Sequence, residues 1–335
     1  MVRIAINGFG RTGRSFIRAA RGSRPDLQVV AINDLSGPER MANLLRHDSV
    51  FGPFDGGVQL TSEGLVIDGE VVELLAQSEP SDLPWKQLEV DVVVESTGRL
   101  TSRDQASGHL AAGAGRVVVS APSKNADATF IMGVNEETFD PEQHRVISNG
   151  SCTTNCFVPM VKVLDDAFGV EKGLMTTVHA YTGDQNLVDG PHKDDRRARG
   201  AAINIVPTST GAARATAIVL EAMQHRLDGT ALRVPVPDGS IVDFVAVLGR
   251  DVTVEEVNDA FRADASAGRL AAVLDYSEEP IVSSDIIGSR ASCTFDAPLT
   301  MALGNLVKVF GWYDNEFGYA CRLVDLLGVV GGDSQ

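Results

Sequence analysis

The feature that most constrains this chain is a glycine turn set between a buried strand and a helix. "VRIAI", apolar apart from Arg3, reads as a buried strand of a parallel sheet. "GRTGRSFIRAARG" then reads as a loop and helix, and "LQVVAIND" as the next strand, which makes a βαβ unit. Between the first strand and the helix stand Gly8, Phe9, Gly10, Arg11, Thr12 and Gly13. In a chain with 33 glycines a bare GxGxxG arises by chance. This one follows a strand, opens a helix and is followed by Asp34 at the end of the next strand, the context that dinucleotide binding requires.

The chemistry of the turn follows from its geometry. Glycines permit a tight turn and close backbone approach, and the helix N-terminus offers amide hydrogens and positive potential to a pyrophosphate. Asp34 would accept hydrogen bonds from both adenine-ribose hydroxyls and repel a 2′-phosphate, which favours NAD over NADP. The competing reading is a glycine turn with a capping aspartate.

Further along, "VDVVVESTG" and "RVVVSAPS" are apolar runs ending in small polar residues, with a helical "SRDQASGHLAAG" between them. Parallel sheets place ligands at the carboxyl ends of such strands, which marks Thr97 and Ser120 as cofactor contacts. After about residue 150 the pattern changes to long β-rich stretches, "GLMTTVHAYT", "LRVPVP" and "SIVDFVAVLG", separated by helical segments near 152–167, 211–226 and 253–267. At 335 residues the chain is too long for one typical core. The expected fold is therefore α/β. Residues 1–150 form a Rossmann-type, doubly wound parallel sheet that binds NAD. Residues 151–314 form an α+β catalytic domain with a mixed, largely antiparallel sheet, and 315–335 form a terminal helix.

Composition narrows the partners. Net charge is −16, from 45 acidic against 29 basic residues, which argues against nucleic acid or an anionic membrane as a main partner. No apolar run approaches the roughly 18 residues of a membrane span, and "MVRIAINGFG" lacks the parts of a secretory signal, so a cytoplasmic location is expected. Cys152, Cys156, Cys293 and Cys321 are too sparse for a disulfide framework, which leaves reduced thiols as the default.

"SNGSCTTNCFVPMVKVL" places Cys152 where a polar cluster runs into an apolar helix. Ser151 is a candidate N-cap, so Cys152 falls in the first turn, where the helix dipole favours a thiolate. His179, after a β-rich run, could take the thiol proton, and a thiolate–imidazolium pair is one way to activate a cysteine. Three readings stay open for Cys152: nucleophile, small core residue and metal ligand. Cys152 and Cys156 alone fall short of the usual four zinc ligands, so no metal is expected, and Cys156 reads as core.

Small hydroxyls and arginines recur in "SCTTN", "AYTGD", "HKDDRRARG", "PTSTGAARAT" and "LRVPVP". Helix starts and Thr-Gly turns hold phosphate oxygens through backbone N–H groups, and arginine adds a bidentate fork. The bland alternative is a charged surface loop that pairs with Asp194 and Asp195, or an intersubunit contact.

"INGFGRTGR", "SNGSCTTNC", "HKDDRRARGAA", "PTSTGAA" and "WYDNEFGY", in this order from Val2 to the terminal helix, resemble the phosphorylating glyceraldehyde-3-phosphate dehydrogenases. "SCTTNC" is far more specific than the glycine motif. The resemblance implies that Cys152 attacks glyceraldehyde 3-phosphate, with His179 as general base, and that inorganic phosphate releases the resulting thioester as 1,3-bisphosphoglycerate. It also implies one anion site with Thr182 and Arg233, and another with Ser151, Thr153, Thr210, Gly211 and Arg197. Asn315 would hold the nicotinamide carboxamide, and Ser78 would lie beside the adenine.

A glycolytic and gluconeogenic role, a homotetramer with the 180–205 loop at a neighbour's cofactor site, and a terminal helix packed on the first domain are likewise implied. Gly150, Thr12, Gly183, Gln77, Ser78 and Gly190 depart from the family's usual residues, whereas Leu35 after Asp34 agrees with NAD. Erythrose-4-phosphate dehydrogenase is the alternative within enzymes, and intact "TSTG" speaks for phosphate as the acceptor. A non-catalytic binding or regulatory relative is the alternative outside them.

Overall fold

A computed structural model describes residues 1–331. Two compact units divide the chain: Met1–Phe130 with Asn135–Gly150 and the chain from Ala320, and Ile131–Val134 with Ser151–Tyr319.

The first unit is built on a nine-stranded sheet. Val2–Asn7 lies at its centre between Leu27–Asn33 and Val92–Glu95, all parallel, and Arg116–Val119 and Val146–Ser148 continue the parallel run outward. Strand order therefore reverses around the first strand, which opens a crevice at the carboxyl ends of its neighbours. Val92, Val93 and Val94 are fully buried, as are Ile4, Ala5 and Ile6, which accounts for their unbroken apolar runs. On the other side Glu70–Leu75 joins parallel to Leu27–Asn33, and Leu65–Ile67 and Val58–Leu60 add antiparallel edge strands.

Helix Arg11–Ala20 follows the glycine turn, and Arg103–Ala111 starts at a Ser102–Gln105 capping box. The last helix, Phe317–Val330, ends where Arg116 Nη1 donates to Val330 O at 2.9 Å.

Two glycines of the turn are required by packing. Gly8 has φ +94°, and a Cβ there would lie 2.7 Å from Thr97 N; a Cβ on Gly13 would lie 2.4 Å from Gly8 O and 3.1 Å from Ile6 Cγ2. Gly13→Ala must therefore push the helix off the strand. Such overpacking costs about 1–3 kcal/mol, so the thermal midpoint should fall and NAD affinity with it. A variant with unchanged midpoint and affinity would show that the helix moves freely.

The second unit has an eight-stranded sheet. Its order is Val206–Ser209, Leu227–Val234, Val170–Ala180, Ser240–Leu248, Leu306–Tyr313, Cys293–Asp296 and Leu274–Ser277, with Met301–Leu303 paired to Leu306–Tyr313. Only Val170–Ala180 with Leu227–Val234 and Leu274–Ser277 with Cys293–Asp296 are parallel, so the sheet is mixed and mostly antiparallel. Val242, Phe244, Ala246 and Leu248 alternate along one strand with half-buried neighbours, the period of a strand with one covered face. Beneath them pack Phe157, Met160, Val161 and Leu164 of helix Cys152–Phe168 and Val257 and Phe261 of helix Val254–Ser266.

One helix is shorter than the sequence suggests. The expected segment 211–226 is Ala212–Val219, followed by a 3-10 turn, Glu221–Met223. β-branched Ile218 and Val219 weaken the helix there, and the chain turns at Leu220 to bury Met223 completely. Among the described residues no helix is long and apolar enough to cross a membrane.

Candidate active site

A cavity of about 320 Å³ opens at the strand reversal of the first unit, lined by Gly8, Gly10, Asp34, Leu35, Ser78 and Thr97 among others. Helix Arg11–Ala20 begins there with no side-chain cap hydrogen bond at Gly10, so the positive end of the helix faces the cavity. Among the described residues, its chain neighbours aside, nothing lies within 4 Å of where a Gly10 Cβ would project. Burial pushes the Asp34 carboxyl up, but hydrogen bonds from Ser36 and from Phe9 N–H, the latter at 2.7 Å, outweigh it and hold the group below its ordinary value. The acid facing the cavity is thus ionised, and these features fit the pyrophosphate and ribose of a dinucleotide.

Arg11 is engaged elsewhere, by an ion pair with Asp48 at 2.7 Å and by the Phe51 ring. Thr12 and Ser120 are not among the residues lining the cavity; Ser120 N–H donates to Glu95 O at 2.9 Å, closing the end of its strand. Asn7 and Asn33, which the motif reading overlooks, also line it. They face each other in parallel register, with Asn33 Nδ2 donating to Asn7 Oδ1 at 2.7 Å and Asn7 Nδ2 to Glu95 Oε2 at 2.6 Å. Paired asparagines at two adjacent strand ends were the available signal.

The second unit carries the thiol. Ser151 caps its helix, its Oγ accepting from Thr154 N at 3.0 Å, so Cys152 is the first helical residue. Cys152 Sγ lies 3.4 Å from His179 Nε2. His179 Nδ1 lies 2.7 Å from Ala180 O, and a carbonyl can only accept. The hydrogen-bond pattern therefore assigns the proton to Nδ1 and turns the Nε2 lone pair toward the thiol, the tautomer a general base needs.

Both groups are neutral at rest. Burial, reinforced by the Arg233 guanidinium, pushes His179 down to about 3. Burial pushes the Cys152 thiol up, and Arg233 and hydrogen bonds from Thr153 only partly offset that. The standing thiolate–imidazolium pair suggested by residue types thus gives way to a thiol donating toward a neutral imidazole. Packing decides this, because desolvation disfavours each charged form and outweighs the Arg233 charge and the Thr153 hydrogen bonds at the thiol.

Strand register brings the arginine in. His179 and Arg233 are direct partners on parallel strands. Arg233 Nη1 donates to Thr182 Oγ1 at 2.8 Å and to Ala180 O at 3.2 Å, while its Nε is buried without a hydrogen-bond partner among the described residues. Thr182 donates onward to Asp184, whose carboxylate also takes Arg197 Nη1 at 2.6 Å; Arg197 Nε reaches Thr208 Oγ1 at 2.9 Å. Arg197 and Thr182 therefore meet on the Asp184 carboxylate, and Arg233 is linked to it through Thr182.

Thr153 is different: its hydroxyl is buried and shares a 2.8 Å hydrogen bond with Tyr313 OH, which also meets Thr177 Oγ1 at 2.8 Å. Thr210 Oγ1 accepts from Ala212 N at 3.2 Å, and Gly211 stands at the uncapped start of helix Ala212–Val219. Asn315 Oδ1 accepts from Ser240 Oγ at 2.6 Å, and Ser240 Oγ accepts from Ala180 N at 3.1 Å. Ser240 thus ties Asn315 to the strand end that bears His179, a role no motif signalled.

A dinucleotide cradle and a Cys–His pair with its own arginine make this chain an NAD-dependent oxidoreductase. The family comparison narrows the class. Residues 2–103 match the glyceraldehyde 3-phosphate dehydrogenase NAD binding domain, and residues 151–315 match the C-terminal domain of the same enzyme. The chain is 53% identical over 331 residues to glyceraldehyde-3-phosphate dehydrogenase of Streptomyces coelicolor, covering 98% of each. It is 52% identical over 330 residues to that of Geobacillus stearothermophilus, again covering 98% of each. To glyceraldehyde-3-phosphate dehydrogenase 1 of Bacillus subtilis it is 51% identical over 330 residues, with the same coverage. The chain belongs to the glyceraldehyde-3-phosphate dehydrogenase family.

Proposed function

We propose that this chain oxidises glyceraldehyde 3-phosphate with NAD and inorganic phosphate to 1,3-bisphosphoglycerate, in the glycolytic and gluconeogenic interconversion of triose phosphates. The observation that carries the reading is the Cys152 Sγ to His179 Nε2 contact beside the unsatisfied Arg233 Nε. Cys152 attacks the aldehyde carbon as Nε2 takes its proton, giving a thiohemiacetal; the helix-start amide of Cys152 and the imidazolium stabilise the oxyanion. When bound, NAD supplies the hydride acceptor. Loss of hydride from the thiohemiacetal carbon leaves a thioester on Cys152, and phosphate oxygen attacks its carbonyl and expels the thiolate.

Arg233 and Thr182 hold one phosphate. Ser151, Thr210, Gly211 and Arg197 hold the other, with Thr153 contributing its backbone because its hydroxyl is committed to Tyr313. Gly8, Gly10, Gly13, Asp34, Ser78 and Thr97 form the NAD cradle, Arg11, Thr12 and Ser120 shape its borders, and Asn315 holds the nicotinamide carboxamide. In this reading residues 1–150 are the NAD-binding domain, 151–314 the catalytic domain, and the terminal helix belongs with the first.

The working assembly is a homotetramer in the cytoplasm. Its support is the 180–205 segment, where Leu187, Val188, Ile203 and Ile205 are 77%, 73%, 82% and 66% exposed, an apolar surface that asks for a partner.

The test is reduced-cofactor absorbance with glyceraldehyde 3-phosphate, comparing NAD with NADP, each with and without phosphate. Phosphate-dependent NADH formation is expected. Activity indifferent to phosphate would point to the acid-forming sister reaction on erythrose 4-phosphate, and no activity to a binding or regulatory role.

A further inference from the structure

Two carboxyl groups in the second unit are buried together, and the reaction does not call on either. Asp238 lies between strands Leu227–Val234 and Ser240–Leu248, and Asp314 lies between strand Leu306–Tyr313 and the last helix; each is 1% exposed. Asp314 accepts three backbone N–H groups, from Gly288 at 2.7 Å, Glu316 at 2.8 Å and Phe317 at 2.6 Å. Such a set of donors solvates a carboxylate. Asp238 Oδ1 takes Gly239 N–H at 2.8 Å, but its Oδ2 is buried and meets no donor among the described residues. What lies against it is the Asp314 carboxyl, and the two side chains interact as a pair. Two carboxylates can associate in this way only if one holds a proton, and Asp238, with one backbone donor against three for Asp314, is the less solvated of the two.

The pair flanks a contact that matters to the site. Two residues after Asp238, Ser240 Oγ donates to Asn315 Oδ1, and Asn315 directly follows Asp314. Tyr181 N–H donates to Val236 O at 3.1 Å, which ties the same turn to the strand end beyond His179.

We propose that Asp238 and Asp314 form a proton-sharing clip that joins the turn before Ser240 to the turn carrying Asn315, and so sets how Asn315 meets NAD. This rests on the reading of Asn315 as the carboxamide holder. The proton sits on Asp238 Oδ2 and is donated to Asp314. Asp238 is thereby a positioning residue, acting through Asn315.

The clip is sensitive to pH in a defined direction. Burial first, then the charges of Asp314 and Glu316, push Asp238 up to about 8. The clip is therefore closed below that value and opens above it, where Asp238 ionises against two carboxylates. The groups facing Asp238 are Asp314 and Glu316 from the turn before the last helix and the Cys152 thiol from the start of its own helix. On the segment 283–288, Asp285 is turned back onto Val282 N–H.

The test is NAD affinity by calorimetry, without aldehyde, one pH unit below and one above about 8. For the parent, the clip acts on NAD only through Asn315, so part of the worth of a hydrogen bond to a charged group should be lost and NAD should weaken by about fivefold to tenfold on the alkaline side. Asp238→Asn keeps a permanent N–H donor to Asp314, so its affinity should match the parent below that pH and stay there above it. Asp238→Ala should bind weakly at both. In infrared difference spectra the parent should show a protonated-carboxyl band that vanishes at alkaline pH and is missing in Asp238→Asn.

An alkaline loss of equal size in Asp238→Asn, or none in the parent, overturns the clip. So does NAD affinity unchanged in Asn315→Ala. Because no substrate is present, failure of phosphate-dependent oxidation leaves these profiles intact and separates the two readings.

Discussion

Cys152→Ser should retain NAD affinity and lose phosphate-dependent NADH formation by about 10³-fold or more, because a hydroxyl is a far weaker acid and nucleophile than a thiol and His179, backed by the Ala180 carbonyl, lacks the carboxylate that supports a Ser–His pair. His179→Asn should cost about 10²–10⁴-fold in kcat, the usual worth of a placed general base. The pair also predicts a pH profile. With His179 at about 3, the base is unprotonated across the whole neutral range, and with the thiol above its ordinary value the thiolate fraction grows as pH rises. Alkylation of Cys152 in the substrate-free protein should therefore climb steadily from acid to alkaline pH. A rate already at its plateau in mild acid would mean that a thiolate–imidazolium pair stands at rest and that the neutral description is wrong.

Arg233→Ala should raise KM for glyceraldehyde 3-phosphate by about tenfold to 150-fold, the worth of charge-assisted hydrogen bonds at roughly 1.5–3 kcal/mol. Its second effect separates binding from electrostatics. Arg233 lowers both His179 and Cys152, so removing it should move both upward, the imidazole remaining below its ordinary value through burial and the thiol becoming still harder to ionise. Alkylation at a given pH should slow. Arg233→Lys keeps the charge but loses the fork, so it should restore the alkylation rate more fully than KM. If both variants alkylate at the parental rate, the guanidinium does not act on the thiol. A bound phosphate group would neutralise the same charge, so substrate itself should raise His179 toward proton acceptance.

The legibility of this chain follows sequence separation. The turn from Gly8 to Gly13 was readable because its function is local: one strand end and one helix start, a few residues apart. Asp34 was readable because a βαβ unit returns the second strand beside the first, and the register pairs Asn7 with Asn33 just before it. Ser151 and Cys152 were readable because an N-cap is a property of consecutive residues. The edge strands Val58–Leu60 and Leu65–Ile67 leave no mark in the sequence because each is only three residues long, too short to show a period. The helix expected to reach residue 226 stops at Val219 because burial of Met223 outweighs helical continuity.

Residue types and their order by themselves determined the doubly wound first half, the mixed second sheet and the dinucleotide turn; they made Cys152 and His179 candidates, and only the resemblance of "SCTTNC" and its companion motifs chose between the readings. Tertiary structure alone decided which partners meet. Strand pairing set His179 against Arg233, packing engaged Thr153 with Tyr313, and loop closure brought Ser240 to Asn315 and Asp238 to Asp314. It also decided charge. A cysteine at a helix start and a histidine nearby read from sequence as an ion pair, and burial together with the Arg233 charge makes them neutral, because the cost of desolvating a charge depends on everything packed around it and not on its neighbours in the chain.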